Sequence, residues 1–367
     1  MRSTRAWHLR LFALLTALVL VLAACGGDDD DDDAGGGTED TSEDGGGEAG
    51  GEVVDLGTFP GDPPAHIDPQ LNVTIDAYQV VNALYDGLTD FDATTDPENP
   101  QVKPLIAESW ESSDDAVTWT FTIKDDVTFS DGEQVLPSSF VRAWERASDP
   151  EWPGAYNYLF NFIDGGAEKL DGTADTLSGV VADDEAMTLT VTLDAPYGNF
   201  AYVAGFQMFS PMPSAVDALP DQTQWENGMM IGNGPYKLEK ARTDQEIVLV
   251  RNDAWAGDVL GNTEATLDRI TFRVSGDIDS AYNSFEAGEG DVGPIPAGRF
   301  QAAADNWETT LDVPIMGNVF FEMSWTDPVI GGPENTLLRQ AISHAINRDE
   351  ISEAIYDGFR PPSTGVT

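Results

Sequence analysis

The stretch that most constrains the fold is Val117 to Pro150, VTWTFTIKDDVTFSDGEQVLPSSFVRAWERASDP. Val117, Trp119, Phe121 and Ile123 alternate with Thr118, Thr120 and Thr122. A period of two in β-branched and aromatic residues predicts a half-buried strand. Lys124-Asp125-Asp126 is a polar turn, and Val127-Thr128-Phe129 a second short apolar piece that reads as a short strand. Ser130-Asp131-Gly132 predicts another turn, because Asp-Gly accepts positive φ at low cost. A helix follows from Pro137, with Phe140, Val141, Trp144 and Ala147 on its apolar face, and Asp149-Pro150 stops it. This is an α+β core element with no evident catalytic group.

The amino terminus carries the next constraint. Arg2, Arg5, His8 and Arg10 precede Leu11 to Ala24, an apolar run broken only by Thr16. A bilayer span takes about 20 residues, so the run fits the apolar region of a secretory signal better than a membrane helix. It ends Leu22-Ala23-Ala24-Cys25, which resembles the bacterial lipobox. That resemblance implies a signal peptide over 1–24, cleavage before Cys25, and a lipid anchor on Cys25. Cys25 is the only cysteine, so an intramolecular disulfide is excluded and the core must hold the fold.

Residues 25–52 hold the run Asp28 to Asp33 and two Gly-Gly-Gly triplets. Such composition cannot bury a core and predicts a disordered tether. As a Gly-rich coil, Gly26 to Glu52 would span about 30 Å, and about 90 Å at full stretch. The Asp run lacks the spaced ligands and turn glycine of a calcium loop. The chain as a whole has a formal charge of −47, and 53 of its 65 acids and 15 of its 18 bases follow Glu52. Phosphate binding needs clustered Lys and Arg, so nucleic acid is excluded as a partner.

From Val53 the pattern predicts a strand to Phe59, a helix over Thr74 to Tyr85 closed by Gly87 as a C′ residue, and a short strand at Leu88 to Phe91. It then predicts a loop over Asp96 to Pro104, a hairpin over Val180 to Leu193, and a partly helical run from Phe200 to Phe209. Beyond a glycine turn at Ile231 to Tyr236, strands are expected at Ile247 to Arg251 and Leu267 to Val274. A helix over Ile278 to Ala287 closes at Gly288, Asp291 to Ile295 reads as a buried strand end, and Asn318 to Trp325 as a strand. Helices at Asn335 to Asn347 and Glu350 to Tyr356 complete the pattern. Strands and helices mix without strict βαβ order, which points to an α+β or mixed α/β protein of more than one lobe.

The wording and order of these segments resemble the extracellular solute-binding proteins of family 5, the peptide-binding components of ABC importers. The resemblance rests on Asp68-Pro69, Leu84-Tyr85-Asp86-Gly87-Leu88, Trp119-Thr120-Phe121 and Val127-Thr128-Phe129-Ser130-Asp131-Gly132. It continues through Gly232-Asn233-Gly234-Pro235-Tyr236-Lys237-Leu238, Arg251-Asn252-Asp253 with Trp255, Ala287-Gly288-Glu289-Gly290-Asp291, and Leu338-Arg339-Gln340-Ala341 to Ala345-Ile346-Asn347-Arg348. Asn347 stands where the family commonly has an acid, and Leu136-Pro137-Ser138 departs from its usual approach to the helix. Family members also run on well past Thr367, so the chain resembles a C-terminally truncated member. The acid that pairs with a peptide's amino terminus in oligopeptide binders lies in that further part.

The resemblance implies a periplasmic-binding-protein-like type II fold of two lobes with an extra small domain. Residues 53–91 and 197–318 would form the first lobe and 92–196 the smaller inserted domain. Residues 319–367 would form a hinge strand and the start of an incomplete second lobe. It implies ligand contacts at Val73, Thr74 and Ile75, at Tyr156, Asn157 and Tyr158, and at Phe320, Phe321 and Glu322. The implied function is capture of extracellular peptides by a monomeric lipoprotein at the outer face of the cytoplasmic membrane, for delivery to the permease and ATPase of an ABC importer. The family also binds other solutes, so a nickel chelate, haem or an oligosaccharide is the alternative. A two-carboxylate hydrolase is a third reading, but acids are too abundant for a pair to count as evidence. No nucleophile elbow, HExxH or Cys-His pairing appears, and no catalytic residue, cofactor or metal site is expected.

Overall fold

The structure is a computed structural model and describes residues 53–60 (as backbone), 65–92, 101–227, 230–239, 246–257, 265–275, 277–310 and 320–363. The signal, Cys25 and the tether lie outside the described residues. Gly50–Thr367 forms one compact unit. No helix among the described residues is long and apolar enough to cross a membrane.

Two four-stranded sheets organise the body. The first has the order β1-β10-β9-β8, from β1 (Val53–Pro60), β8 (Tyr236–Leu238), β9 (Glu246–Arg251) and β10 (Arg269–Ser275). β1 runs parallel to β10, and the other pairs are antiparallel. The second sheet, wholly antiparallel, has the order β4-β5-β7-β6, from β4 (Ala107–Ser112), β5 (Thr118–Ile123), β6 (Val180–Asp183) and β7 (Thr188–Thr192). A two-stranded ribbon, β2 (Thr89–Asp92) with β3 (Gln101–Pro104), stands apart from both.

The alternation in β5 does what its period requires. Trp119, Phe121 and Ile123 are buried, while Thr118, Thr120 and Thr122 face outward opposite Thr192, Thr190 and Thr188 of β7. Branched pairs of this kind stabilise a sheet face across strands. Gly132 adopts φ +93°, as the Asp-Gly turn demands, and Asp131 Oδ1 accepts the Glu133 N–H. The helix α2 (Pro137–Ala147) then packs Phe140, Ala143, Trp144 and Ala147 under the second sheet and on the Gln207–Phe209 turn. The unusual Leu136-Pro137-Ser138 entry still starts the helix well. Pro137 fills the first turn, where its missing N–H costs nothing. The Leu136 N–H donates to Ser139 Oγ and the Ser138 N–H to Asp184 Oδ1.

The other helices are α1 (Ile75–Leu84), α3 (Gly166–Leu170), α4 (Phe200–Val203), α5 (Ile278–Glu286), α6 (Phe300–Asn306), α7 (Thr336–Ala345) and α8 (Arg348–Tyr356). One continuous apolar cluster runs from Ile67 to Phe272 and joins both sheets, α1 and α2.

Five sequence expectations are corrected. Gly87 is not a left-handed C′ residue: α1 ends because Tyr85 turns extended at φ −135°. Part of the expected 96–104 loop is strand β3. Val127-Thr128-Phe129 forms only an isolated bridge, between Thr128 and Gln134. Asp291 to Ile295 is neither strand nor buried, with Asp291 and Val292 exposed. Residues 320–324 of the expected Asn318 to Trp325 strand pair with nothing and lie exposed or half-buried; Asn318 itself is outside the described residues. Asn347, by contrast, serves as well as an acid would: its Oδ1 accepts the Glu350 N–H at 3.2 Å and caps α8.

Candidate ligand-binding surface

The segment leading into α1 is fixed residue by residue. Asn72 Oδ1 accepts the Thr74 N–H at 2.8 Å, and Thr74 Oγ1 caps the helix at the Ala77 N–H. Val73 and Ile75, on either side of that cap, are 49% and 66% exposed although both are branched apolar residues. Their side chains are displayed rather than packed.

What displays them is a buried polar scaffold. Glu226 Oε2 accepts the N–H groups of Ile67 (2.7 Å) and Asp68 (3.2 Å), while Glu226 Oε1 meets His66 Nδ1 at 2.8 Å. Asp68 is fully buried and pairs with Arg146 of α2 at 2.5 Å. Arg146 also donates to Gln70 Oε1 and to the Gln222 carbonyl, and its guanidinium lies over Trp152 at 4.0 Å. Gln70 Nε2 donates to the Ala143 carbonyl at 2.6 Å. Asn72 and Gln207 bond each other reciprocally: Asn72 Nδ2 to Gln207 Oε1, and Gln207 Nε2 to Asn72 O. A buried ion pair stabilises only when its remaining polar atoms are satisfied. Here all but the Arg146 Nε are.

The second predicted group adjoins this loop. A Cβ on Gly154 would sit 2.6 Å from the Gln70 carbonyl, so the chain entering Tyr156 lies directly against the loop. Tyr156 and Asn157 are half-buried, and Tyr158 is 55% exposed. Tyr156 stands perpendicular to Phe206 at 5.2 Å and lies 6.4 Å from Tyr158. Gln207, next to Phe206, closes the circuit back to Asn72. Val73, Thr74, Ile75, Tyr156, Asn157 and Tyr158 are therefore brought together around Gln70, Phe206 and Gln207. The surface they form has apolar and aromatic side chains outside and held backbone groups beneath.

Phe320, Phe321 and Glu322 are not brought to it. All three are exposed, and among the described residues no hydrogen bond, ion pair or ring contact joins them to the other two groups. Sequence reading missed Phe206, Gln207, Glu226 and the Asp68–Arg146 pair. The pair is 78 residues apart and Glu226 lies 159 and 158 residues from the two N–H groups it holds, so no local spacing signals either. Among the described residues, no group of three or more His, Cys, Asp or Glu could hold a metal ion.

Residues 101–367 match the family described as bacterial extracellular solute-binding proteins, family 5 Middle. The dipeptide-binding protein DppE of Bacillus subtilis is 28% identical over 304 residues, covering 82% of this chain and 53% of that protein. The periplasmic murein peptide-binding protein MppA of Escherichia coli is 31% identical over 308 residues, covering 82% and 54%. The chain thus spans about half the length of these curated relatives. Among solved structures, OppA of Burkholderia pseudomallei superposes with a TM-score of 0.73 at 23% identity, over 86% of this chain and 60% of that one. The fold is therefore the mixed α/β fold of solute-binding proteins, and the chain belongs to family 5 of the bacterial extracellular solute-binding proteins.

Proposed function

We propose that this chain captures extracellular peptides on the surface around Val73–Ile75 and Tyr156–Tyr158 and passes them to the permease and ATPase of an ABC importer. The observation that carries the reading is the exposure of Val73 and Ile75. A scaffold of buried charges holds two branched apolar side chains in solvent beside Tyr156, Tyr158 and Phe206. An extended peptide offers backbone N–H and C=O groups and alternate side chains, which such an edge can receive with little regard to sequence. Names of relatives such as DppE and MppA support peptides over other solutes.

Residues 319–367 begin a second lobe on this reading, with 53–91 and 197–318 as the first and 92–196 inserted. Supporting it, Leu337, Leu338, Ile342, Ile351 and Ile355 of α7 and α8 expose their apolar sides. Phe320, Phe321 and Glu322 then meet the ligand from the second lobe when the two close on it. The body is a monomer held to the outer face of the cytoplasmic membrane through lipidated Cys25, with 26–52 as spacer. One acyl chain anchors weakly and two anchor stably, at about 0.8 kcal/mol per buried CH₂.

The test is a thermal-shift and tryptophan-fluorescence titration with a mixture of short peptides. Peptides should raise the melting point, and Ile75→Asp or Tyr156→Ala should remove the response without unfolding the chain. A response to metal chelates or sugars with none to peptides would overturn the peptide reading. Metabolic labelling with a radioactive fatty acid, lost in Cys25→Ser, tests the anchor.

A further inference from the structure

The surface around Val73–Ile75 and Tyr156–Tyr158 is built from three segments, 65–84, 150–163 and 199–213, and none of them contains a lysine or arginine. Arg146, beneath it, is 5% exposed and already holds Asp68, Gln70 and the Gln222 carbonyl. His66 is paired with Glu226. A carboxylate on a ligand would therefore find no free counter-charge among these residues.

The acids are placed differently. Asp68 and Glu226 are buried and occupied, and Glu151 is exposed. Asp76 is neither. It stands two residues past the Thr74 cap, in the first turn of α1, and is half-buried. Among the described residues no hydrogen bond or ion pair reaches its carboxylate. Helical side chains lean toward the amino end and share a face with positions three and four away. Asp76 thus leans toward exposed Val73 from above buried Val80. Desolvation pushes its carboxyl above the usual range. A carboxylate withdrawn from water without a partner costs free energy that a cation brought beside it returns.

Two roles fit an acid at this position. One is local, because negative charge in a first turn favours the helix dipole. That role is strongest for a carboxylate that bonds the first-turn N–H groups, and here Thr74 Oγ1 takes the Ala77 N–H instead. The other role is recognition, for which a half-buried, unpartnered carboxylate beside displayed apolar side chains is well placed.

We propose that Asp76 receives a cationic group of the peptide, an ammonium or a guanidinium, and that this surface selects basic over acidic peptides. The inference rests on the peptide reading above and adds charge to it: backbone pairing tolerates many sequences, and Asp76 ranks them. The chain's formal charge of −47 acts in the same direction at long range, drawing cationic ligands in and repelling anionic ones.

The test is calorimetric titration of the full chain with tri-alanine, with its variants carrying lysine or glutamate at each position in turn, and with acetylated tri-alanine. At least one lysine peptide should bind tighter than tri-alanine by roughly three- to tenfold, and the glutamate peptides should bind more weakly. Asp76→Asn should remove the lysine gain and leave tri-alanine as it was. Where the cation is the peptide's own amino terminus, acetylation weakens binding to the parent, and Asp76→Asn weakens tri-alanine by the same factor. Asp76→Glu keeps the charge and should keep the preference. A helix-dipole role would move the melting point and leave these ratios unchanged. Glu308→Gln removes one unit of charge from an exposed position outside the three segments and should leave the ratios as they are. Lysine and glutamate peptides of equal affinity, unchanged ratios in Asp76→Asn, or an equal change in Glu308→Gln would overturn the proposal and leave the peptide reading standing. Binding of none of these peptides would overturn that reading, and this inference with it.

Discussion

Helices α2 and α7 have eleven and ten residues and carry apolar side chains at the same spacings. In α2 these are Phe140, Ala143, Trp144 and Ala147; in α7 they are Leu337, Leu338, Ala341, Ile342 and Ala345. In α2 all four are fully buried. In α7 no residue is buried, and Leu337 is 79% exposed. Periodicity sets helix and face, because it needs only the 3.6-residue turn. It does not say what covers the face. α7 is held instead by polar contacts: Arg339 donates to the carbonyls of Ile330 and Gly332 and lies over Trp325 at 4.8 Å.

The largest expected effect lies in the sealed region. Trp144 is fully buried, its Nε1 donates to the Phe209 carbonyl at 3.0 Å, and its ring meets Phe209 edge-on at 5.1 Å. Trp144→Ala removes all of this and leaves a cavity, so unfolding in urea should show a loss of about 3–5 kcal/mol. A loss below about 1 kcal/mol would mean α2 is not the sealed helix described.

The polar part of the same helix should matter nearly as much. Arg146→Met leaves the Asp68 carboxylate buried without its partner, a change that costs about 3–5 kcal/mol when a buried pair is broken. Changing both residues together, Asp68→Asn with Arg146→Met, should recover part of the loss. A loss in the double variant equal to the sum of the Asp68→Asn and Arg146→Met losses would show that the two groups are not coupled. Because this pair holds the Ile67–Asn72 loop, the single variant should also weaken peptide binding on the surface proposed above by more than the double one.

A third, smaller effect depends on pH. The Asp86 carboxyl ionises near 3.8 when unfolded, but burial, against the Trp255 hydrogen bond, pushes it up to about 7 in the folded chain. Between those values the folded state holds a proton that the unfolded state has released. This group's contribution therefore falls as pH rises through that window and is level outside it, at about 1.4 kcal/mol per unit of difference. Denaturant unfolding across this window should show the slope in the parent and not in Asp86→Asn. A parent slope of opposite sign would show that the attraction of nearby Lys124 outweighs burial at Asp86.

The sequence made some of this legible and not the rest, for physical reasons. Local chemistry was readable: the Thr-Trp-Thr-Phe-Thr-Ile alternation, the Asp131-Gly132 turn and the stop at Asp149-Pro150. Val73–Ile75 and Tyr156–Tyr158 were reachable only through family resemblance, since an exposed valine or tyrosine has no signature of its own. The long-range hydrogen bonds of the scaffold beneath them join residues 73 to 160 positions apart, where no period operates. Gly87 was misread because a glycine after a helix usually supplies a left-handed turn. Here its φ is not positive, and the chain packs close to it, with the Gly205 and Thr89 carbonyl oxygens 3.5 Å from where a Cβ would be. The expected Asn318 to Trp325 strand failed over its described residues for the converse reason: aromatic residues fit a pleated, half-buried surface, and no neighbouring strand among the described residues offers one.

The smallest expected effect discriminates most sharply between the two helices. Leu337 stands beside Leu338 on the apolar side of α7, yet it has solvent over most of its surface, where Trp144 of α2 has none. Truncating a side chain that is already hydrated removes little transfer free energy and opens no cavity. Leu337→Ala should therefore change stability by no more than about 0.5 kcal/mol, while alanine itself favours the helix. A loss of 2 kcal/mol or more would show that something covers this face in solution, and dilution separates the two ways that can happen. Cover by a second copy makes the loss depend on protein concentration, because association stabilises by mass action. Cover from within the same chain does not. The pair of substitutions, one in each helix, thus asks whether equal periodicity means equal burial, and the structure answers that it does not.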